Sequence, residues 1–260
     1  MSRKVSIVLC TFNEVNHIEK SLDLINKNLK NFEIIIVDDN STDGTIEKLD
    51  QLKSKFTFQL YVRKKERGLA TAQKFGFGKV NGDYVGTVDV NSKDQILYFN
   101  DLINKLDSGY DIAVLSRYVP GGGDERVFVR SFASLAINKV SKFFLRIPFN
   151  DFSSGIFLMK KELITETEKI ITGYADWFIE FIYILNKKKF KIFELPYLQT
   201  KDDKLIKSKS YPNFFNFFLL RFKIFFKSFN NKNKKLVVYY FNLFSQSGDD
   251  LTVTSSLLKS

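Results

Sequence analysis

The chain has 260 residues, enough for one sizeable domain or a domain with an appendage. Its one cysteine, Cys10, excludes an internal disulfide and fits a reducing compartment, and its one histidine, His17, excludes a multi-histidine zinc site. The net charge of +11 points to an anionic partner: nucleic acid, membrane lipid or a phosphorylated substrate.

In chain order, Val5 to Cys10 is a short β-branched run that reads as a buried strand, and it ends in Thr11-Phe12-Asn13-Glu14. The spacing of Ile18, Leu22 and Ile25 predicts a helix over 15–27. A second buried strand, Ile34 to Val37, runs into Asp38-Asp39-Asn40-Ser41-Thr42-Asp43-Gly44-Thr45. A helix follows over 45–55, with Asp43 or Thr45 as its cap. A short strand at 58–62 and a helix at 69–80 lead to the run Tyr84 to Val88, which ends in Asp89-Val90-Asn91. A helix over 96–106 precedes Ile112 to Leu115, a strand ending in Ser116-Arg117-Tyr118. This alternation predicts an α/β fold with a mainly parallel sheet and helices on both faces.

Pro120-Gly121-Gly122-Gly123 marks a loop, and 127–145 is a long amphipathic segment flanked by Arg126 and Arg146 and carrying Arg130. Asp151 to Gly155 is a polar turn, 174–185 reads as helix with Asp176, Trp177 and Glu180, and Ile192 to Leu195 reads as a strand stopped by Pro196. Residues 200–210 are polar and lysine-rich. Residues 212–245 form an aromatic and basic tail, expected as amphipathic helices, and 246–260 are small and polar, expected to be disordered. The opening Met-Ser-Arg-Lys precedes too few apolar residues for a signal peptide, and no run reaches the ~18 apolar residues of a spanning helix.

In an open α/β sheet, ligands bind beyond the carboxyl ends of the strands. Three strands would therefore deliver Thr11, Asp38, Asp39 and Asp89, with neighbouring amides, to one edge suited to a nucleotide and a metal ion. Each motif alone also has a bland reading. The Asp38 to Thr45 stretch can be a turn with a helix cap, Asp89 can simply end a strand, and Arg117, Arg130 and Lys209 can be solvated charges.

Taken in order, Thr11-Phe12-Asn13-Glu14, Val37 to Thr45, Gly68-Leu69-Ala70-Thr71-Ala72, Gly82-Asp83-Tyr84 with Asp89, Ser116 to Gly122, Asp151 with Ser154-Gly155, and Lys207-Ser208-Lys209 resemble family 2 glycosyltransferases of the GT-A type. Within them the match is to the polyprenol-phosphate (dolichol-phosphate) sugar transferases, over roughly residues 4–229. The resemblance implies a GT-A, Rossmann-like mixed sheet in a catalytic domain over 1–211, and sugar transfer from GDP-mannose or a UDP-sugar, with inversion, to a polyprenyl or dolichyl phosphate. It implies a nucleotide-sugar pocket of Thr11, Asn13, Glu14, Asp39, Ser41, Arg67, Gly68 and Lys209. Asp89 and Asn91 are the implied ligands of Mg²⁺ or Mn²⁺, which would neutralise the departing diphosphate. Arg117, Arg130 and Ser134 are the implied holders of the acceptor phosphate, and Asp89 and Arg117 are counted among the catalytic residues.

Four departures from the family pattern stand out. Asn91 replaces the second aspartate of Asp-x-Asp, so metal affinity should fall. Cys10 stands where proline is common, Phe157 where an arginine follows Ser-Gly, and no arginine precedes the Ser-Lys pair. If the acceptor is instead a glycan hydroxyl, Asp176 is the candidate base. A third reading is a non-catalytic relative that binds nucleotide-sugar or scaffolds a membrane complex. Nucleic acid is the partner ranked last, because no nucleic-acid motif accompanies the charge. The aromatic and basic tail implies a peripheral protein on the cytoplasmic face of the membrane, alone or with a membrane partner protein.

Overall fold

The computed structural model describes residues 3–201 except 93, 169 and 172–176, all within the first of two units, Met1–Ser210. The expected tail helices at 212–245, the terminus 246–260, Lys209 and Asp176 lie outside the described residues.

Strands β1 (Val5–Thr11), β2 (Phe32–Asp38), β3 (Gln59–Val62), β4 (Tyr84–Thr87), β5 (Ile112–Ser116), β7 (Phe157–Lys160) and β8 (Ile192–Pro196) form one sheet in the order β3-β2-β1-β4-β7-β5-β8. A second, two-stranded sheet pairs β6 (Gly123–Asp124) with β9 (Leu198–Gln199) in parallel. Only β7 runs against its neighbours, so β1, β2, β4 and β5 all end at one rim. The fold is thus the mixed, mostly parallel α/β sheet that the alternation of elements predicts.

The continuous apolar runs follow from burial on both faces. Helices α1 (Ile18–Asn28), α2 (Thr45–Leu52) and α4 (Phe99–Asp107) cover one face, packing Leu22, Ile25, Leu49, Phe99 and Leu102 against Ile7, Leu9, Ile34 and Leu158. Helices α3 (Leu69–Phe77) and α7 (Trp177–Lys187) lie on the other. There the Phe157 ring is stacked on Phe178 at 5.5 Å and flanked by Phe77, Trp177 and Phe181. The remaining helices are α5 (Phe128–Leu145) and the short α6 (Ile164–Thr167).

Helix ends differ from the sequence expectation by a few residues. The turn at Glu14 delays α1 to Ile18, and residues 95–98 form a 3₁₀ turn before α4. β8 ends at Pro196, as expected, with the proline as its last residue. As an edge strand, β8 needs no N–H from that position, and Pro196 sits opposite Ser116.

At the amino ends of the strands, Glu33 accepts hydrogen bonds from Lys4 Nζ at 2.7 Å, Ser6 Oγ at 2.6 Å and the Asn81 N–H at 2.5 Å, joining β1, β2 and the turn into β4. Burial pushes its pKa up, but these donors outweigh it and hold the carboxyl at about 2, below the ordinary 4.5. The folded value is depressed, so this stabilisation is complete above the unfolded pKa and is lost as pH falls from 4.5 through about 2. Glu33→Gln should flatten the acid side of the stability profile in that window, read from urea midpoints across pH.

Gly86 lies where β4 passes between its neighbours. A Cβ there would meet the Phe157 carbonyl at 2.7 Å and the Leu158 side chain at 2.9 Å. Gly86→Ala should therefore cost about 1–3 kcal/mol of stability. The urea midpoint should drop with an unchanged slope.

Candidate active site

The rim begins with Asp38, fully buried at the end of β2. Its Oδ2 accepts Thr11 Oγ1 at 2.7 Å and Ser41 Oγ at 2.6 Å, and its Oδ1 accepts the Ser41 N–H at 2.7 Å. Ser41 Oγ in turn accepts the Asn13 N–H at 2.8 Å, and Asn13 Oδ1 accepts the Thr42 N–H at 2.9 Å. Asn13 and Asn40 both adopt left-handed backbone, φ 57° and 58°, which asparagine tolerates. Glu14 donates its N–H to Thr45 Oγ1, and Asp43, just ahead of α2, accepts the Thr45 N–H at 3.0 Å. Thr11, Asn13, Glu14 and Ser41 are thus assembled beside one another, but Thr11 and Ser41 spend their hydroxyl protons on Asp38.

Asp39, the next residue, turns the other way. Arg63 approaches its Oδ1 with Nε at 2.7 Å and Nη2 at 2.5 Å, and the Gly68 N–H donates to its Oδ2 at 2.8 Å. Arg63 also reaches Thr71 Oγ1 at 3.0 Å and the Gly68 carbonyl at 3.2 Å. Gly68, at φ 129°, precedes α3 in a backbone conformation that favours glycine. Arg67 lies over the Phe12 ring at 4.7 Å. Arg63 was absent from the sequence-derived set. Its place just beyond β3, which is paired to β2 next to Asp38, is the signal that could have found it.

Asp89 follows β4, at the same rim. Gln95 grips it twice, accepting its N–H at 3.0 Å and donating to Oδ2 at 3.3 Å. The Ser21 hydroxyl donates to the Val90 carbonyl and holds this loop from α1. Asp89 is exposed at its surface, yet the surrounding protein raises its pKa, against lowering by Gln95 and by the charges of Arg126, Arg117 and Arg130. Three arginines therefore act on this one carboxylate. Desolvation pushes the pKa of the partly buried Cys10 thiol up, with the Asp39 charge adding to it and Arg63 opposing it.

Beyond β5, Arg117 is 4% exposed. Its Nε and Nη2 form a two-pronged pair with Asp151 at 2.8 and 2.7 Å, its own N–H donates to Asp151 at 2.9 Å, and Nη2 reaches Ser153 Oγ at 2.7 Å. Asn138 of α5 adds donors to Asp151 and Ser153. Arg117 is thereby engaged inside the protein. Arg126 pairs with Asp124 through Nε at 2.8 Å and Nη2 at 2.6 Å, and its Nη2 donates to Ser134 Oγ at 2.9 Å. Arg130 and Ser134 lie on the first turns of α5. The small sheet brings the 198–199 segment alongside this loop, with the Gly123 N–H donating to the Tyr197 carbonyl and the Glu125 N–H to the Gln199 carbonyl. Thr200 then donates to Asp94, three residues beyond Asn91.

The geometry is that of a GT-A fold, and solved structures agree. Glucosyl-3-phosphoglycerate synthase of Mycobacterium tuberculosis, solved with Mn²⁺, UDP and phosphoglyceric acid, superposes with a TM-score of 0.59 at 17% identity over 76% of this chain and 69% of that one. The family model described as glycosyl transferase family 2 matches residues 6–168, and the chain belongs to that family. It is 33% identical to the dolichol-phosphate mannosyltransferase of Pyrococcus furiosus over 80% of this chain and 60% of that protein. It is 25% identical to glycosyltransferase AglD of Haloferax volcanii over 74% of this chain and 32% of that one. The chain thus spans less than two thirds of the length of each of these two relatives.

Removing one partner of a buried ion pair strands the other. Arg117→Met should therefore cost about 3–5 kcal/mol, and Arg117→Met combined with Asp151→Leu should recover part of it. Both are read by urea denaturation.

Proposed function

We propose that this protein transfers a sugar from a nucleoside-diphosphate sugar to a polyprenyl phosphate at a membrane surface, with inversion. The observation that carries the proposal is the position of Asp89. It stands at the strand rim shared with Asp39, and Arg117, Arg126 and Arg130 act on its charge. A donor with a diphosphate and an acceptor with a phosphate both need such surroundings. The likeness to a dolichol-phosphate mannosyltransferase over 80% of the chain supports the same reading.

The residues fit a divalent cation. Mg²⁺ needs one or two carboxylates and completes its shell with substrate phosphates and water, and Asp89 is an exposed carboxylate with the Asn91 amide two residues on. When bound by Asp89 and Asn91, the ion would supply Lewis-acid neutralisation of the departing nucleoside diphosphate. Asn91 brings no charge, so affinity for the ion is lower than with two carboxylates. Gln95 orients Asp89 from both its backbone and its side chain. An acceptor phosphate is already anionic and attacks without a protein base. Arg130 and Ser134, one helical turn apart on α5, would hold it, and Arg126 donates to Ser134 Oγ.

A lipid acceptor also accounts for the outer side of α5. Val127, Phe128 and Phe132 are 63%, 77% and 58% exposed next to Arg126 and Arg130, and the Phe128 and Phe132 rings stack at 5.8 Å. Apolar rings beside cations suit the membrane interface. Among the described residues no helix is long and apolar enough to cross a membrane. The proposed location is the cytoplasmic face of the membrane, with the 212–245 tail adding contact. The second reading is transfer to a glycan hydroxyl with Asp176, outside the described residues, as base.

The test is nucleotide release from GDP- and UDP-sugars, with and without polyprenyl phosphate, in Mg²⁺, Mn²⁺ or EDTA. Release should require both lipid phosphate and metal. Asp89→Asn should lower turnover by about 10²-fold or more, whereas Asn91→Asp should lower the metal concentration needed for half-maximal turnover. Arg130→Ala should abolish use of the lipid phosphate while Asp176→Asn leaves it; the reverse pattern would establish the hydroxyl acceptor. Nucleotide binding with no release from any donor would instead support a non-catalytic relative.

A further inference from the structure

Tyr197, between β8 and β9, is 4% exposed. Its backbone is fixed on both sides: the N–H donates to the Ser116 carbonyl at 3.1 Å, and the carbonyl accepts the Gly123 N–H at 3.1 Å. Its ring meets Tyr98 edge to face at 5.7 Å, and Tyr98 ends the 3₁₀ turn that Gln95 begins. The same core cluster holds Tyr197 together with Val88 and Val90, the neighbours of Asp89. Tyr197 thus reaches both the turn that carries Asp89 and the loop that carries Arg117 and Arg126. Buried tyrosine hydroxyls ordinarily find a partner. Tyr84 donates to Asp107 at 2.6 Å and Tyr118 to Asp124 at 3.3 Å. The Tyr197 hydroxyl has no hydrogen-bond partner among the described residues, although the charges of Arg117, Asp89, Asp151 and Arg126 all act on it. Burial raises its pKa above the ordinary 10.0, with Arg117 opposing and Asp89 adding to the rise, so at neutral pH it holds a proton to donate.

We infer that the Tyr197 hydroxyl donates a hydrogen bond to a hydroxyl oxygen of the donor's sugar, and that Tyr197 is a specificity-determining residue for that sugar. This rests on the proposed use of a nucleoside-diphosphate sugar and extends it to the group in transit. In that reading the diphosphate lies toward Asp89 and the acceptor phosphate toward Arg130 and Ser134. The sugar, bonded to the first and attacked by the second, lies between them. A buried phenol there is a neutral donor facing a neutral ligand. A site with a buried, unspent O–H rewards a sugar that offers an oxygen to it and penalises one that does not, because the proton is then left unpaired.

The experiment compares Tyr197→Phe with the wild-type full chain. The ring is kept, and the lost hydroxyl leaves no protein group unpaired, so the urea midpoint should hold or rise. Calorimetry in Mg²⁺ then follows UDP and GDP, UDP-glucose and GDP-mannose, and forms of both donors with each sugar hydroxyl in turn replaced by hydrogen. For the donor that binds, the ratio of nucleotide-sugar to nucleoside-diphosphate affinity should fall about tenfold in Tyr197→Phe, with nucleoside-diphosphate affinity unchanged. One deoxy form should show the same loss on the wild type and no further loss on the variant. An unchanged ratio overturns the assignment. So does equal weakening of nucleoside diphosphate and nucleotide-sugar, which would mark a phosphate oxygen as the ligand, and so does a lowered urea midpoint, which would show an internal partner. Each of these leaves the transferase reading standing. The expected ratio without nucleotide release on adding polyprenyl phosphate supports Tyr197 and overturns the transferase reading, and binding of no nucleotide at all overturns both.

Discussion

Much of the strand rim at β1 and β2 depends on how one buried carboxylate is satisfied. Asp38 sits at the end of a strand with no exposed surface, and a carboxylate there is tolerable only with donors on its oxygens. The Thr11 hydroxyl and the Ser41 hydroxyl and N–H supply them. That requirement joins the end of β1 to the turn after β2, draws Asn13 in through Ser41, and directs the next residue, Asp39, toward the rim. Arg63 and Gly68 then meet Asp39 from the loop before α3, so three loops are ordered around two adjacent aspartates.

The rim beyond β5 is organised by the same physics with opposite charge. The guanidinium of Arg117 is buried, and Asp151 meets it with two parallel bonds while Ser153 Oγ accepts from it and Asn138 donates to Asp151. Glu194 extends the arrangement to β8. It accepts the Ser116 hydroxyl and the Asn150 and Asp151 N–H groups, and burial raises its pKa against those bonds. Arg117 is thus paired internally, while Arg126 pairs with Asp124 and donates to Ser134 at the start of α5. Asp89 lies between these two parts of the rim, held by Gln95 and facing solvent.

Several elements could be read without coordinates. The β-branched runs at Val5, Ile34, Tyr84 and Ile112 announce strands because a strand covered on both faces must be apolar throughout. The polar cluster after each run announces the rim, because loops at strand ends carry the side chains that reach a ligand. The pairings were not legible. Arg63 lies 24 residues from Asp39, and Asp151 lies 34 from Arg117. Nothing in local spacing distinguishes a guanidinium that will be buried against a carboxylate from one that will remain in water. Gln95 was hidden for the same reason: a glutamine at the start of a helical segment looks like surface.

By itself the sequence determined the alternation of elements, the rim at which Thr11, Asp39 and Asp89 meet, and, through its motifs, membership of glycosyltransferase family 2. These are properties of period and order along the chain. Tertiary structure alone decided that β7 enters antiparallel between β4 and β5, that two-residue strands stitch Gly123 and Asp124 to Leu198 and Gln199, and which charges are internal. The physical reason is that burial and pairing are set by what the rest of the fold brings alongside. Arg117 and Arg130 look alike as residues beside a turn, and only the arrival of Asp151 and Asn138 makes Arg117 part of the interior.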